Sequence, residues 1–200
     1  MGVRFLLLSF LFGCLCLTAC KNSKSNTDIE IEFTQDTLQV PFTYWWEESG
    51  PFIGYCGENY SLVFAGMITD LEIENKDAGP LYHSKRGTIA VEKVLKIDNP
   101  NAQKYISQGY VSTDCFYGLD LTVGDKVLVF CYEYEGGFSI AGGSSILDIG
   151  GLEHPLVKSI KTYIHENQDP LAIEKDSTLW QAYGFGEKLA QHIRCKENPL

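Results

Sequence analysis

The sequence predicts a mainly β protein, a small barrel followed by helices near the C-terminus. Segments of alternating or β-branched residues recur between positions 28 and 143. Turns rich in glycine and asparagine separate these segments, and the helical repeat of apolar residues appears only after position 154. Strands that come first and helices that come last favour a barrel with helical additions.

The strands are predicted in order along the chain. Residues 28–42 place Ile29, Ile31 and Phe33 on one face, which is the period of a half-buried strand. Residues 44–57 are aromatic and glycine-rich, so we expect an irregular segment there. Further strands are predicted at residues 59–74, 87–97, 103–111, 123–135 and 138–143, with turns at 75–80, 98–101 and 136–137.

Two helices are predicted after the barrel. Residues 154–167 repeat apolar side chains at helical spacing, and Pro155 suits the first turn. A shorter helix at residues 187–195 would bury Leu189 and Ile193. The predicted organisation is therefore a barrel over residues 29–150 and a helical extension over residues 151–200 that packs on it.

The N-terminal segment has the features of an export signal. Arg4 precedes an apolar run over residues 5–17, which is too short for a comfortable membrane span. The following Leu17-Thr18-Ala19-Cys20 resembles the bacterial lipobox, which implies that residues 1–19 are removed and Cys20 is acylated. The alternative is an ordinary secretory signal, with Cys20 free or disulfide-bonded.

The lipobox resemblance also predicts a location. Residues 20–28 are polar and form a tether to the bilayer, and Cys20 would bind membrane lipid through its acyl chains. Lys21 stands where the lipoproteins retained in the inner membrane carry Asp. We therefore expect a bacterial cell-envelope lipoprotein of the outer membrane, on its periplasmic or surface face.

The charge of the chain excludes one class of partner. The net charge is −10, and removal of residues 1–19 would take away Arg4 and no acidic residue, leaving −11. A protein that binds a phosphate backbone needs a basic face, so no nucleic acid partner is expected. The acidity also argues against an electrostatic grip on anionic lipid.

Four cysteines remain after those of the N-terminal segment: Cys56, Cys115, Cys131 and Cys195. An even number in an exported chain favours disulfides, and three connectivities are possible. Their wide spacing, without a C-x-x-C pair, argues against a structural zinc site.

Three stretches resemble the TIMP/netrin-like branch of the OB fold. They are Cys56 with the strand SLVFAGMI, the strand IAVEKVLK, and CFYGLDLTVGDKVLVFCYEYEGG, which begins at Cys115. The resemblance implies an OB-like barrel over residues 29–150. It also implies a Cys56–Cys115 bridge, which would leave Cys131 to pair with Cys195. The alternative for the second pair is two free thiols.

The family's metalloprotease inhibitors chelate zinc through a free N-terminal cysteine amine. Cys56 lies inside the chain and Cys20 would be acylated, so that mechanism does not transfer. Other candidate chemistry is sparse. His192 and Cys195 would share a helical face, but two ligands do not form a metal site, and Cys115 beside Asp114 lacks the positive surroundings of a reactive thiol. No catalytic residue, metal site or cofactor is predicted.

The remaining candidates are aromatic. A binding surface is predicted from residues of two stretches: Tyr44, Trp45, Trp46, Phe52, Phe116 and Tyr117. The alternative for the first stretch is that its rings plug one end of the barrel. The sequence thus favours a non-catalytic binding module for an envelope protein or glycan. The alternatives are an envelope thiol or metal-assisted hydrolase using Cys115 or the His192–Cys195 pair, or a protease inhibitor acting through loops.

Overall fold

Seven strands form one sheet in a computed structural model that describes residues 29–41, 49–75 and 83–198. They are β1 (Thr34–Gln39), β2 (Tyr60–Leu71), β3 (Gly87–Ile97), β4 (Gln108–Thr113), β5 (Lys126–Tyr134), β6 (Gly137–Ile140) and β7 (Ile146–Asp148). The order across the sheet is β1-β4-β3-β2-β5-β6, and β7 also pairs with β5. All pairs are antiparallel except β1 with β4.

The sheet curls around an interior core. One cluster of buried side chains takes members from every strand, among them Leu38, Leu62, Ile89, Val111, Val129, Phe138 and Ile146. Residues at opposite edges of a flat sheet could not share a cluster, so the sheet must bend into a barrel-like shape. Irregularities in the β2–β3 register, which increase local twist, support this curvature.

A side-chain amide joins the two edges of the sheet. Gln103 Nε2 donates to the Gln39 carbonyl at the end of β1 (2.8 Å). Its Oε1 accepts from the Phe138 N–H in β6 (3.0 Å). The Ile140 N–H also donates to the Pro41 carbonyl, at 3.5 Å. The seam between β1 and β6 therefore has no continuous ladder, and Gln103 supplies the missing donor and acceptor.

The helices cover the outer face of the sheet and form a second core. They are α1 (Pro155–His165), α2 (Ser177–Ala182) and α3 (Gly186–Glu197), with a 3-10 helix at Pro170–Asp176. Alternate residues of β2 point to the two cores, so that Leu62 lies inside and Val63 faces the helices. Trp180 is fully buried in the second core and donates from Nε1 to Ser159 Oγ (3.0 Å).

The structure confirms the coarse prediction, a mainly β fold with C-terminal helices. The predicted helices appear as α1, with Pro155 in its first turn, and as α3, which buries Leu189 and Ile193. The first predicted strand is shorter than expected and lies parallel to β4, beyond the reach of any local pattern. The lipobox and the tether lie outside the described residues.

The predicted disulfides are wrong. Cys56 pairs with Cys195, with a Cα–Cα distance of 5.5 Å, and Cys115 and Cys131 are free and buried. The reason is their placement. Cys115 and Cys131 belong to the interior core. Cys56 lies in the exposed segment before β2, where the last turn of α3 docks.

Candidate functional site

The barrel has two ends that differ in their relation to the N-terminus. β1 begins at Thr34 beside Gln108, the first residue of β4, so the chain from Ile29 reaches the sheet at this proximal end. β2 and β4 finish, and β3 and β5 begin, at the opposite, distal end. Connections at the distal end therefore lie at the end of the barrel opposite Thr34, where the chain from Ile29 joins the sheet.

The longest projection at the distal end is the hairpin between β2 and β3. It continues past the strands, because the Glu72 N–H donates to the Arg86 carbonyl (2.8 Å) and Asn75 pairs with Ser84. The β4–β5 connection docks on this arm. The Phe116 N–H donates to the Lys85 carbonyl, at 3.1 Å.

This docking brings Tyr117 against His83. The two rings stack with centroids 4.8 Å apart and planes 17° apart. His83 Nδ1 lies 3.1 Å from Glu74 Oε1, and because a carboxylate can only accept, the nitrogen donates. The arm and the loop after β4 are thus joined by a stacked, hydrogen-bonded set of side chains on the protein surface.

Apolar side chains are also exposed at this end of the barrel. Ile73 is 92% exposed, Val123 59% and Tyr117 45%. The Val123 turn is held against β2 by two backbone bonds, from Gly124 N to Ile68 O (2.8 Å) and from Ile68 N to Asp125 O (2.9 Å). We call Ile73, His83, Tyr117 and Val123 the distal surface. Single exposed apolar residues are ordinary, so the distal surface is a candidate because three of its four members expose apolar or aromatic area at the same end of the fold.

Charged side chains near the distal surface are predominantly acidic. Asp70, Glu72 and Asp120 are exposed on the same hairpin and loop, together with the basic Arg86. The surface therefore favours a neutral or basic partner over an anionic one.

Two members of the predicted binding surface are not on any surface. The side chains of Phe52 and Phe116 are buried, each with 1% of its surface exposed. Phe52 packs edge-on against Trp180, with centroids 4.8 Å apart, in the helix-facing core. Phe116 belongs to the interior core. Phe52 therefore packs rather than binds, but it does so in the helix-facing core and does not plug one end of the barrel as the alternative predicted.

Tyr44, Trp45 and Trp46 lie outside the described residues, but the residue after their segment is placed. Ser49 lies beside a glycine turn, since a Cβ on Gly142 would be 2.7 Å from Ser49 Cβ. A Cβ on the next residue, Gly143, would be 3.0 Å from Leu119. The turn at Gly142 and Gly143 therefore lies close both to Ser49 and to the loop that carries Tyr117.

The candidate nucleophiles are inert. Burial, and then the nearby Asp114 carboxylate, raise the pKa of the Cys115 thiol far above its ordinary value. Burial also raises the pKa of Cys131, and the neighbouring Cys115 adds to the shift. A thiolate is the reactive form, so neither residue suits nucleophilic catalysis at neutral pH.

The His192–Cys195 pair is not a ligand pair either. Cys195 is in the disulfide. His192 is buried and donates from Nε2 to the Gly54 carbonyl (3.1 Å). Among the residues that the structure describes, no group of three or more His, Cys, Asp or Glu side chains is placed to hold a metal ion.

A pocket of about 370 Å³ lies beside the disulfide, and its wall contains a residue that sequence reasoning missed. Gln168 accepts from the Tyr60 N–H (3.0 Å) and from Lys96 Nζ (2.8 Å), and it donates to the Glu58 carbonyl (3.0 Å). These contacts hold Gln168 in the left-handed region, at φ 57°. Its role is to join α1 to β2 and β3, and no sequence motif indicates this.

A wider groove of about 800 Å³ follows α1. It contains Lys93, Lys158 and Lys161, but Glu153 and Glu166 lie in the same groove. The mixed charge makes it a poor site for an anion.

Comparison with known protein families found no family model that matches the chain, and comparison with curated proteins found no match. The fold therefore defines the class, a mainly β barrel-like protein with C-terminal helices. Within residues 29–41, 49–75 and 83–198, none of the helices has the length and apolar character needed to span a membrane.

Proposed function

We propose that this protein is a lipid-anchored envelope lipoprotein whose folded body is a non-catalytic binding module. The observation that carries the proposal is the distal surface, an exposed apolar and aromatic set at the end of the barrel opposite Thr34, where the chain from Ile29 joins the sheet. The lipobox at Leu17–Cys20 supports the anchor, and the Cys56–Cys195 disulfide suits an oxidising compartment outside the cytoplasm.

The proposed anchor and the distal surface are geometrically compatible. Nine Cα–Cα steps separate Cys20 from Ile29. A fully extended chain of this length spans about 30 Å, and a flexible one averages roughly 17 Å. Because Ile29 enters at the proximal end, the acylated residue would hold that end near the bilayer. The distal surface would then project away from the membrane, where a partner can reach it.

We also propose that the barrel is of the OB type with TIMP/netrin-like features. An OB fold is a five-stranded, partly open barrel that binds ligands through strand faces and loops. The curled path of β2, β3 and β4, with β5 on the other side of β2 and β6 beyond it, supports this assignment. The parallel β1 and the Cys56–Cys195 bridge are departures from the expected pattern.

The partner is proposed to be an envelope protein rather than a glycan. Ile73 and Val123 offer aliphatic contact area of the kind that protein interfaces bury, and Tyr117 adds an aromatic anchor. A glycan would bind mainly through the stacked Tyr117 and His83 rings and would leave the aliphatic side chains exposed. The hydrolase alternative is not proposed further, since Cys115 is buried and Cys195 is bonded.

The distal surface can be tested by capture of partners from detergent-solubilised envelope. We expect the double variant Ile73→Asp, Tyr117→Ala to lose at least 90% of the bound partner. Ile106→Asp is the matched control, because Ile106 is 76% exposed but lies at the proximal end, next to Ser107, which bonds Thr34. Equal capture by the double variant and the wild type would refute the distal surface as the site.

The anchor is tested separately. We expect Cys20→Ala to move the protein from the membrane fraction to the soluble fraction, because the acylated thiol is lost. Retention in the membrane fraction, or persistence of residues 1–19 in the purified wild type, would refute lipidation. Replacement of Trp45 and Trp46 by Ala in the capture assay tests whether these residues also contribute to binding.

A further inference from the structure

The Cys56–Cys195 disulfide is reachable from solvent on two sides. Cys56 is exposed and Cys195 half-buried. The bond lies on the wall of the pocket that contains Tyr163 and Gln168. Cys195 also borders a second hollow, of about 530 Å³, with Tyr55, Gln191 and Arg194. A soluble thiol can therefore approach the bond without prior unfolding, which is not true of the buried Cys115 and Cys131.

Each hollow is lined by one cationic side chain as well as by Cys195. Arg194 borders one hollow and Lys196 the other. Glu58 lies in the same pocket as Lys196, whose ammonium is 3.5 Å from Asp169. Cations flanking a cysteine favour its thiolate and so make it a better leaving group in exchange.

The disulfide fastens a short and otherwise lightly held piece of structure. Besides the disulfide, side-chain hydrogen bonds join the middle of α3 to the loop at residues 54–57. Gln191 Nε2 donates to the Tyr55 carbonyl and His192 Nε2 to the Gly54 carbonyl, both at 3.1 Å. Leu189 and His192 are buried, whereas residues 196–198 are exposed. Loss of the bond would thus free the end of α3 and leave its first turns docked.

We propose that the Cys56–Cys195 disulfide is a thiol-exchange site, at which a dithiol reductant releases the C-terminal turn of α3 from the loop at residues 54–57. A thiolate of the reductant attacks the exposed Cys56 Sγ, the S–S bond breaks, and Cys195 leaves as a thiolate that takes a proton from solvent. The second thiol of the reductant then attacks the reductant's sulfur atom in the mixed disulfide. This closes the reductant's own disulfide and releases Cys56 as a thiol. Two electrons pass to the protein, and the reductant ends as a disulfide.

The test uses the purified full chain and dithiothreitol under native conditions, followed by alkylation and mass spectrometry. We expect Cys56 and Cys195 each to gain one label while Cys115 and Cys131 stay unlabelled. Hydrogen exchange at residues 194–198 should rise at least tenfold, with exchange in β5 unchanged. Reduction only after denaturant is added, or labelling of all four cysteines together, would overturn the proposal.

The contribution of Arg194 and Lys196 is tested by comparing rates of reduction. We expect the double variant Arg194→Gln, Lys196→Gln to be reduced at least threefold more slowly than the wild type. Lys175→Gln is the control, since Lys175 is an exposed cation that borders neither hollow. An unchanged rate in the double variant would overturn the assignment of Cys195 as the assisted leaving group. None of these outcomes depends on the distal surface. The thiol-exchange proposal and the partner-binding proposal are therefore tested independently.

Discussion

Replacement of Gln103 by Ala tests whether one side-chain amide holds the barrel seam together. Gln103 bonds the Gln39 carbonyl of β1 and the Phe138 N–H of β6, so the substitution removes both contacts. A hydrogen bond contributes about 0.5–1.5 kcal/mol net, and a buried donor left without its acceptor costs about 1–3 kcal/mol. Phe138 is buried, while Gln39 is exposed and its carbonyl can bond water.

We therefore expect the free energy of unfolding to fall by about 2 kcal/mol. Most of this loss comes from the Phe138 N–H, which is buried without an acceptor in the variant. The lost bond to the Gln39 carbonyl adds a small amount. Urea unfolding followed by circular dichroism measures this change. Hydrogen exchange of the Phe138 amide should accelerate in parallel, because that N–H loses its acceptor.

Two control variants separate the seam from a general effect of the substitution. Gln35→Ala removes a similar, exposed side chain from β1 that accepts a long 3.5 Å bond from the Tyr110 hydroxyl, and it should cost less than about 0.5 kcal/mol. Gln103→Glu keeps the acceptor for Phe138 but loses the donor to Gln39, so its stability should lie between the wild type and Gln103→Ala. A loss below 0.5 kcal/mol in Gln103→Ala, or an equal loss in Gln35→Ala, would refute the reasoning.

Three further predictions concern the helices and the cores. His154→Ala should lower the free energy of unfolding by about 1 kcal/mol, because Nδ1 accepts the Leu156 N–H at the start of α1. His154→Asn keeps a cap acceptor but loses the Tyr183 contact, so its stability should lie between His154→Ala and the wild type. Equal stability of the two variants would contradict the cap. Cys131→Ser should lower the free energy of unfolding by about 1–3 kcal/mol more than Cys131→Val does, because serine buries a hydroxyl in the apolar interior. A serine variant as stable as the valine variant would count against that environment. Burial raises the pKa of Tyr163 to about 12, above the ordinary value of 10.0. Its ionisation therefore begins in the unfolded state, and stability should fall as pH rises from about 10 to about 12, by up to about 1.4 kcal/mol per unit from this group. Tyr163→Phe should flatten that part of the pH dependence of urea unfolding, and an unchanged slope would contradict the assignment.

Local patterns predicted the elements well where one face of the element is buried. The apolar repeat at residues 154–167 anticipated α1, and the run at 123–135 anticipated β5. These patterns succeed because a helix or strand must place its apolar side chains on the buried side, and the period of the chain records that requirement. For the short β1, the sequence predicted a strand but not its parallel pairing with β4. The paired residues Thr34 and Gln108 are 74 positions apart, and a local pattern cannot connect them.

The candidate site was only partly visible in the sequence. Tyr117 was identified and is exposed, but its neighbour Phe116 is buried, and no sequence rule separates two adjacent aromatic residues in a loop. His83 was not connected with Tyr117, because the two rings meet only through the docking of the β4–β5 connection on the hairpin arm. Gln103 and Gln168 carry no motif, since a glutamine becomes important only when strands bring unpaired backbone groups to it.

By itself, the amino-acid sequence determined the β-rich class, the late helices and the acidity of the chain, because each depends on composition or on neighbours within one turn or strand. The export signal stays a prediction. Only the tertiary structure decided which cysteines pair, which aromatic residues are buried and which loops share the distal end. The physical reason is that loop-closure entropy varies slowly with chain length, so distant partners compete on nearly equal terms until packing selects one of them.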